Sequence, residues 1–482
     1  MANQFLTIIS VSAEVAPFSK TGGLGDVANA LPKALSKLGH KVIMITPFYG
    51  FVRDQGLKIE EFGKDKIKIG EQTFPVIFRK TDLNFEIPVY FIYNRDLFSR
   101  SKIYDYPDNN LRFLFFDLAV IKLIKKLNLR ANIIHCHDWH TGLIPNYIKL
   151  AYKNDPAFKK TSCVFTIHNL PFQFGHDWWK TPPKNQDSGK GLPPTSPKKI
   201  EYINFTKRGI FNADIINTVS VRYANEILTK EFGQGLEKIL NKRKKDLYGI
   251  VNGIDYTVFN PAFDQNVYYN YDWNSLDRKK KNKFCLQKEL KLEQKADIPV
   301  IGLVNRLTEQ KGFDLIMQIM PLLTKMPIQI VIVGTGGKDY LKFFKKAAKE
   351  YPRQVAIHSP FTEKMGSRVY AGSDMFLMPS RYEPCGISQL ISLRYGSIPI
   401  VRETGGLSDT ISNFNPITGR GNGFVFSSYT KEHLLIAITR ALENYKYPKV
   451  WEHLTWQAMR MSYSWEIPAQ KYVRLYQLAM KK

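Results

Sequence analysis

The chain has 482 residues, 44% of them hydrophobic, and a formal net charge of +26 from 69 Lys+Arg against 43 Asp+Glu. That length exceeds one ordinary core and makes two domains the expectation, while the hydrophobic share excludes a disordered chain. The positive excess would suit an anionic ligand. Much of it, however, lies in runs such as Lys242-Arg243-Lys244-Lys245 and Lys279-Lys280-Lys281-Asn282-Lys283, which read as solvated helix faces and loops. Neither run is interleaved with aromatics as a strand-binding groove would be, so nucleic acid is not an expected partner. Cys136, Cys163, Cys285 and Cys385 lack the spacing of a disulfide framework or zinc knuckle. No leader-like segment or membrane-length apolar run is evident, so the expectation is a cytoplasmic protein with no membrane partner.

In chain order, Leu6-Thr7-Ile8-Ile9-Ser10-Val11 reads as a buried strand and Val27-Ala28-Asn29-Ala30-Leu31 as the start of a helix. Between them lies Lys20-Thr21-Gly22-Gly23-Leu24-Gly25-Asp26. Glycines at such a junction let backbone N–H groups approach a phosphate, with Lys20 adding a charge; a purely structural glycine turn is the other reading. Lys41 to Thr46 is a second strand, and residues 51–95 read as a small antiparallel addition. A helix is expected from Leu111 to Leu127, and a strand from Ala131 to Cys136 that runs into His137-Asp138-Trp139-His140. The next helix should start near Thr141. Strand Ser162 to Ile167 ends in His168-Asn169. Residues 176–200, rich in Pro and Gly, read as a long surface loop of the kind that serves as a lid. Helical segments follow through 207–240, and Gly249 to Asp255 reads as a strand and turn at a domain boundary.

A second alternation has strands at Pro299–Val304, Ile328–Val333, Val355–Ile357, Met375–Met378 and Ile398–Val401. The last leads into Thr404-Gly405-Gly406-Leu407-Ser408-Asp409, an echo of the first loop. Alternating strands and helices imply doubly wound parallel sheets whose ligands bind at strand carboxyl ends. The expected fold is therefore α/β, two Rossmann-like domains facing a deep interdomain cleft. The boundaries fall at 1–248 and 249–465, with a C-terminal helix of about 466–482 packing back on the first domain.

Arg306 and Lys311, in the loop after one strand, suit a diphosphate: guanidinium binds oxygens in bidentate fashion and ammonium acts as a point charge. A pair of solvated cations is the plainer reading. Glu383, in Pro379-Ser380-Arg381-Tyr382-Glu383-Pro384-Cys385-Gly386, is placed either to accept sugar hydroxyls or to support a helix start. Asp138 beside Trp139 fits sugar recognition. His135, His137 and His140 have no evident Cys or Glu partner for zinc, so no metal and no cofactor is expected.

Together these stretches resemble the bacterial and plant starch or glycogen synthases, retaining glucosyltransferases of the GT-B fold. The likeness rests on Glu14-Val15-Ala16-Pro17 with Lys20-Thr21-Gly22-Gly23-Leu24, His135 to His140, Thr166-Ile167-His168-Asn169, and Asn252-Gly253-Ile254-Asp255. It continues through Arg306-Leu307-Thr308 with Gln310-Lys311-Gly312, Glu383-Pro384-Cys385-Gly386 and Arg402 to Asp409. The resemblance implies ADP-glucose, or less often UDP-glucose, as donor and an α-1,4-glucan such as glycogen as acceptor. It implies that Arg306 and Lys311 hold the diphosphate and that Glu383 lies by the donor glucose. Lys20 with Gly22 and Gly23 would meet the donor from the other domain, and Asp138 and His168 would line the glucose and acceptor side. Asp26, Asn169, Asn252, Cys385, Gly386, Thr404, Gly405 and Gly406 would complete the binding surface.

Three positions depart from the pattern: Phe259 stands where tryptophan is usual, Asn305 where a small residue is usual, and Ile391 where broader GT-B enzymes often carry a second glutamate. No second carboxylate is marked as a nucleophile, which favours front-face transfer over double displacement. The alternatives are a related GT-B enzyme with another nucleotide-sugar or a smaller acceptor, and a glucan-binding pseudoenzyme.

Overall fold

The computed structural model describes residues 5–56, 58–83 and 86–482, and the chain divides into two compact units, residues 1–252 with 465–482 and residues 253–464. Residues 57, 84 and 85 of the 51–95 stretch lie outside the described residues. No helix among the described residues is long and apolar enough to cross a membrane.

The first unit is built on a nine-stranded sheet. Its strands are β1 (Thr7–Ser12), β2 (Lys41–Pro47), β3 (Glu60–Ile69), β4 (Gln72–Leu83), β5 (Ile87–Tyr93), β6 (Ile133–His137), β7 (Ser162–Ile167), β8 (Ile215–Thr218) and β9 (Leu247–Gly249). The spatial order is β3-β4-β5-β2-β1-β6-β7-β8-β9. Only β3-β4 and β4-β5 pair antiparallel, so the expected addition is a β3-β4-β5 meander whose last strand joins the parallel sheet against β2. β1 and β6 are buried along almost their whole length, as strands covered on both faces must be.

In the second unit six parallel strands, β10 (Val300–Val304), β11 (Gln329–Val333), β12 (Val355–His358), β13 (Met375–Met378), β14 (Ile398–Arg402) and β15 (Phe424–Phe426), run in the order β12-β11-β10-β13-β14-β15. Counted from its own first strand, that order is the one shared by dinucleotide-binding Rossmann sheets. Each unit has its own apolar cluster, and the C-terminal helix Glu466–Ala479 buries Ala469, Tyr472, Leu475 and Tyr476 in the first.

Several expectations needed correction. The helical run at 207–240 is interrupted by β8, a four-residue strand too short to set a period, and β15 was not foreseen. The lysine run 279–283 is only half solvated. Lys279 and Lys283, one turn apart on helix Leu276–Glu289, are buried, Lys279 donating to the Ala371 and Ser373 carbonyls and Lys283 pairing with Asp374 at 2.7 Å. In the 242–245 run, Arg243 donates to the carbonyls of Ile210 and Ala213. Residues 176–200 carry little regular structure, but they are pinned. Arg208, fully buried, holds both oxygens of Asp187 at 2.7 and 2.8 Å and donates to Gly191 O.

Candidate active site

In a parallel sheet, neighbouring strands whose connections leave to opposite sides open a crevice at their carboxyl ends. In the first unit that place is between β1 and β6, which pair in register although residues 13–132 separate them.

After β1, buried Glu14 fastens the glycine loop. Its Oε2 accepts from the N–H of Thr21 (2.6 Å) and of Gly22 (3.3 Å), and its Oε1 accepts from Thr21 Oγ1 (2.8 Å) and Tyr104 Oη (2.5 Å). Helix Gly23–Lys37 then starts at Gly22, which supplies no side-chain cap, and Gly22 and Gly23 are exposed. Lys20 Nζ sits 2.8 Å from Asp26 Oδ1. An uncapped helix start beside an ammonium is suited to an anion.

After β6, Asp138 has φ 62° and ψ 178°, a region otherwise kept for glycine. The turn is held on both sides, Asp138 N donating to Thr166 O and Thr141 N to Asp138 O. Burial pushes the Asp138 carboxyl up to about 8 against the opposing bond from Trp139 N–H, so it is largely protonated at neutral pH. Burial pulls His168 down to about 3, leaving a neutral imidazole, and His168 Nε2 lies 3.1 Å from His137 Nδ1. The carbonyl oxygens of the Asn169 and Asn252 side chains meet no protein donor among the described residues. Asn252 follows β9, at the sheet's far edge, and is not at the crevice. Both His135 nitrogens are engaged, by Thr166 and Tyr476.

In the second unit the corresponding crevice lies between β10 and β13. The loop after β10 brings Lys311 Nζ to 2.5 Å from Glu383 Oε2, in the loop after β13; Ser380 Oγ donates to the same oxygen at 3.1 Å. Glu383 is 5% exposed, so its charge is balanced locally rather than by water. Two glycines allow the loops to meet. A Cβ on Gly312 (φ 75°) would lie 2.0 Å from Pro379 O, and one on Gly405 (φ 43°) 1.9 Å from Glu383 O. Gly406 N donates to Glu383 O at 3.1 Å, so Thr404, Gly405 and Gly406, all buried, underlie the carboxylate's backbone. Arg306 is exposed at the same edge, and its charge opposes the rise of the Tyr382 hydroxyl to about 12 that burial and Glu383 cause. The Cys385 and Gly386 carbonyls are taken by Gln389 Nε2, which shapes the turn.

Apart from Asn252, the sequence-marked residues form two groups. Lys20, Gly22, Gly23, Asp26, Asp138, His168 and Asn169 gather at the first crevice or the strand beside it. Arg306, Lys311, Glu383, Cys385, Gly386, Thr404, Gly405 and Gly406 gather at or under the second. Glu14 stood out in the sequence only as part of the family likeness, and Tyr104 did not stand out. A buried acid just past a strand was a usable signal for Glu14; nothing in the sequence pointed to Tyr104.

Two α/β units, each on a largely parallel sheet with charged or protonatable groups at its switch point, are the architecture of the GT-B glycosyltransferases. The models of the starch synthase catalytic domain and of glycosyl transferases group 1 match residues 7–242 and 287–453. A glycogen synthase of Geotalea daltonii is 44% identical, and one of Thermotoga maritima 43% identical, each over 99% of both chains. The catalytic domain of starch synthase IV from Arabidopsis thaliana, bound to ADP and acarbose, superposes with a TM-score of 0.88 at 29% identity, covering 99% of this chain and 100% of that one. The chain belongs to the glycogen synthase family of glucosyltransferases.

Proposed function

We propose that the protein transfers glucose from ADP-glucose to the nonreducing end of an α-1,4-glucan, with retention of configuration. The observation that carries this reading is the buried Lys311–Glu383 pair at the Rossmann switch point, with Arg306 at the same edge. A sugar diphosphate matches it: Lys311 and Arg306 take the phosphate oxygens, and Glu383 accepts from glucose hydroxyls. Lys20 and the amides at Gly22 and Gly23 add positive potential on the donor, and Asp138 and His168 serve the glucose and the acceptor. The ADP in the starch synthase IV structure supports adenine as the base.

In the reaction the bond from the anomeric carbon to the diphosphate oxygen breaks and a bond from that carbon to the acceptor O4 forms on the same face. The acceptor's hydroxyl proton passes to the departing phosphate. Cations fixed in advance stabilise the charge that grows on the leaving group, the largest electrostatic task. Asp138, protonated, and His168, neutral, offer hydrogen bonds without opposing the positive charge at the anomeric carbon. The four free thiols fit a cytoplasmic setting.

The test is a rate comparison with labelled ADP-glucose and UDP-glucose on glycogen, with the new linkage read by NMR. Faster labelling from ADP-glucose and an α linkage are expected. Equal or faster transfer from UDP-glucose would overturn the donor assignment, and donor binding without polymer labelling would overturn the activity.

A further inference from the structure

The imidazole of His137 is fully buried and bonded to His168, at the end of β7. Its surroundings are ordered by the sheet. In register, His137 on β6 lies beside Thr166 on β7, which lies beside Asn217 on β8, and His135, two residues before His137, shares their face. Against this face the C-terminal helix sets Tyr472 and Tyr476, four residues apart. Tyr476 Oη is 2.8 Å from His135 Nδ1, and His135 Nε2 is 2.7 Å from Thr166 Oγ1. Asn217 Nδ2 donates to Thr166 Oγ1 at 3.2 Å and to Tyr472 Oη at 2.9 Å. The His135 and His137 rings lie against each other, tilted by 38° with centroids 3.9 Å apart. The position of the His137 ring is therefore set from the helix through His135.

Burial holds His137 and His168 neutral, so one hydrogen serves the bond between them. If His168 donated, His137 would carry its hydrogen on Nε2, which meets no protein acceptor among the described residues. A buried N–H without a partner is the costlier and rarer defect; a bare ring lone pair is better tolerated. We propose that His137 is a positioning residue that donates from Nδ1 to His168 Nε2 and fixes His168 as the tautomer bearing its hydrogen on Nδ1, with the C-terminal helix holding the pair in place through Tyr476 and His135. Its importance for turnover rests on the reading above that His168 faces the sugar or acceptor.

The test uses the full chain with nitrogen-15 in its histidine rings, His168 being assigned by loss of its signals in His168→Asn. Near neutral pH, His168 should show a protonated Nδ1 and a bare Nε2. His137→Leu should mix the two tautomers and lower kcat roughly 10- to 100-fold, as a wrong tautomer or small misplacement does, while donor KM moves little. His137→Asn, whose amide donates from nearly the same point, should restore the Nδ1–H form and most of kcat. Tyr476→Phe should give a smaller loss. A wild-type His168 protonated on Nε2, or a tautomer unchanged in His137→Leu, overturns the proposal. If His137→Leu does not fold, the wild-type spectrum and His137→Asn decide. The ring spectrum needs no turnover, so a correct tautomer in a chain that transfers no glucose would count against the functional reading alone.

Discussion

The two crevices occupy the same topological place and are made of opposite materials. At β1/β6 the strand after the crevice carries uncharged groups: Asp138 is held protonated and His168 neutral, and Asp138 sits on strained backbone. At β10/β13 the buried groups form an ion pair, Lys311 with Glu383, on backbone that glycines have relaxed. In the proposed reaction the diphosphate gathers negative charge and is met by cations, whereas uncharged groups such as Asp138 and His168 exchange hydrogen bonds with hydroxyls. The contrast shows that one supersecondary plan can carry either chemistry, depending on whether burial or pairing decides the charge state.

Breaking the charged side should have the largest effect. Lys311→Met removes the cation that the proposed reaction sets against the leaving group and strands Glu383; kcat should fall about 10²–10³-fold, with a stability loss on the order of 3–5 kcal/mol by urea denaturation. Adding Glu383→Gln should recover much of the stability and none of the rate, which separates the two consequences.

The discharged side should respond through pH. The Asp138 carboxyl is held at about 8 when folded, above its ordinary value of 3.8, so between those values the folded state keeps a proton that the unfolded state has released. Its contribution is fully present below the lower value and is lost as pH rises through about 8. Wild-type unfolding free energy should therefore decline over that window relative to Asp138→Asn, and kcat should fall above it in the wild type only. Asp138→Gly, which relieves φ strain of about 1–3 kcal/mol, should be the more stable of the two variants and inactive.

The smallest effect sharpens the rule within the second unit, where Lys279 is buried without a direct carboxylate. Burial lowers it from 10.5 to about 7, with Asp374 opposing and Lys283 assisting. Here the unfolded state binds the extra proton, so stability should rise with pH between those values, and Lys279→Met should flatten that rise in a thermal-melt series.

Strand and helix alternation was legible wherever a strand was an apolar run bounded by turn residues, as β7 and β13 are. β8, half of it the polar Asn217 and Thr218, and the three-residue β15 escaped because neither is a sustained apolar run, and the strand expected from Gly249 lies instead at Leu247–Gly249; the place of each is fixed by a neighbour's hydrogen bonds. Candidate site residues carried on loops, such as Lys20 or Glu383, were readable because their residue type is unusual there. Tyr104 was not, since its bond to Glu14 spans 90 residues and depends wholly on tertiary folding. The lysine run misled because composition does not show which face of a helix is covered. Lys279 and Lys283 reach backbone carbonyls and Asp374 that only the folded chain brings near.

The return of residues 465–482 to the first unit has a consequence for biosynthesis. The second unit is one continuous segment and can close as it emerges from the ribosome. The first, though translated earlier, keeps open the face where Tyr472 and Tyr476 belong until that final helix has also left the exit tunnel. The half that is made first is finished last, and its unfilled sheet face is the surface a nascent-chain chaperone would meet.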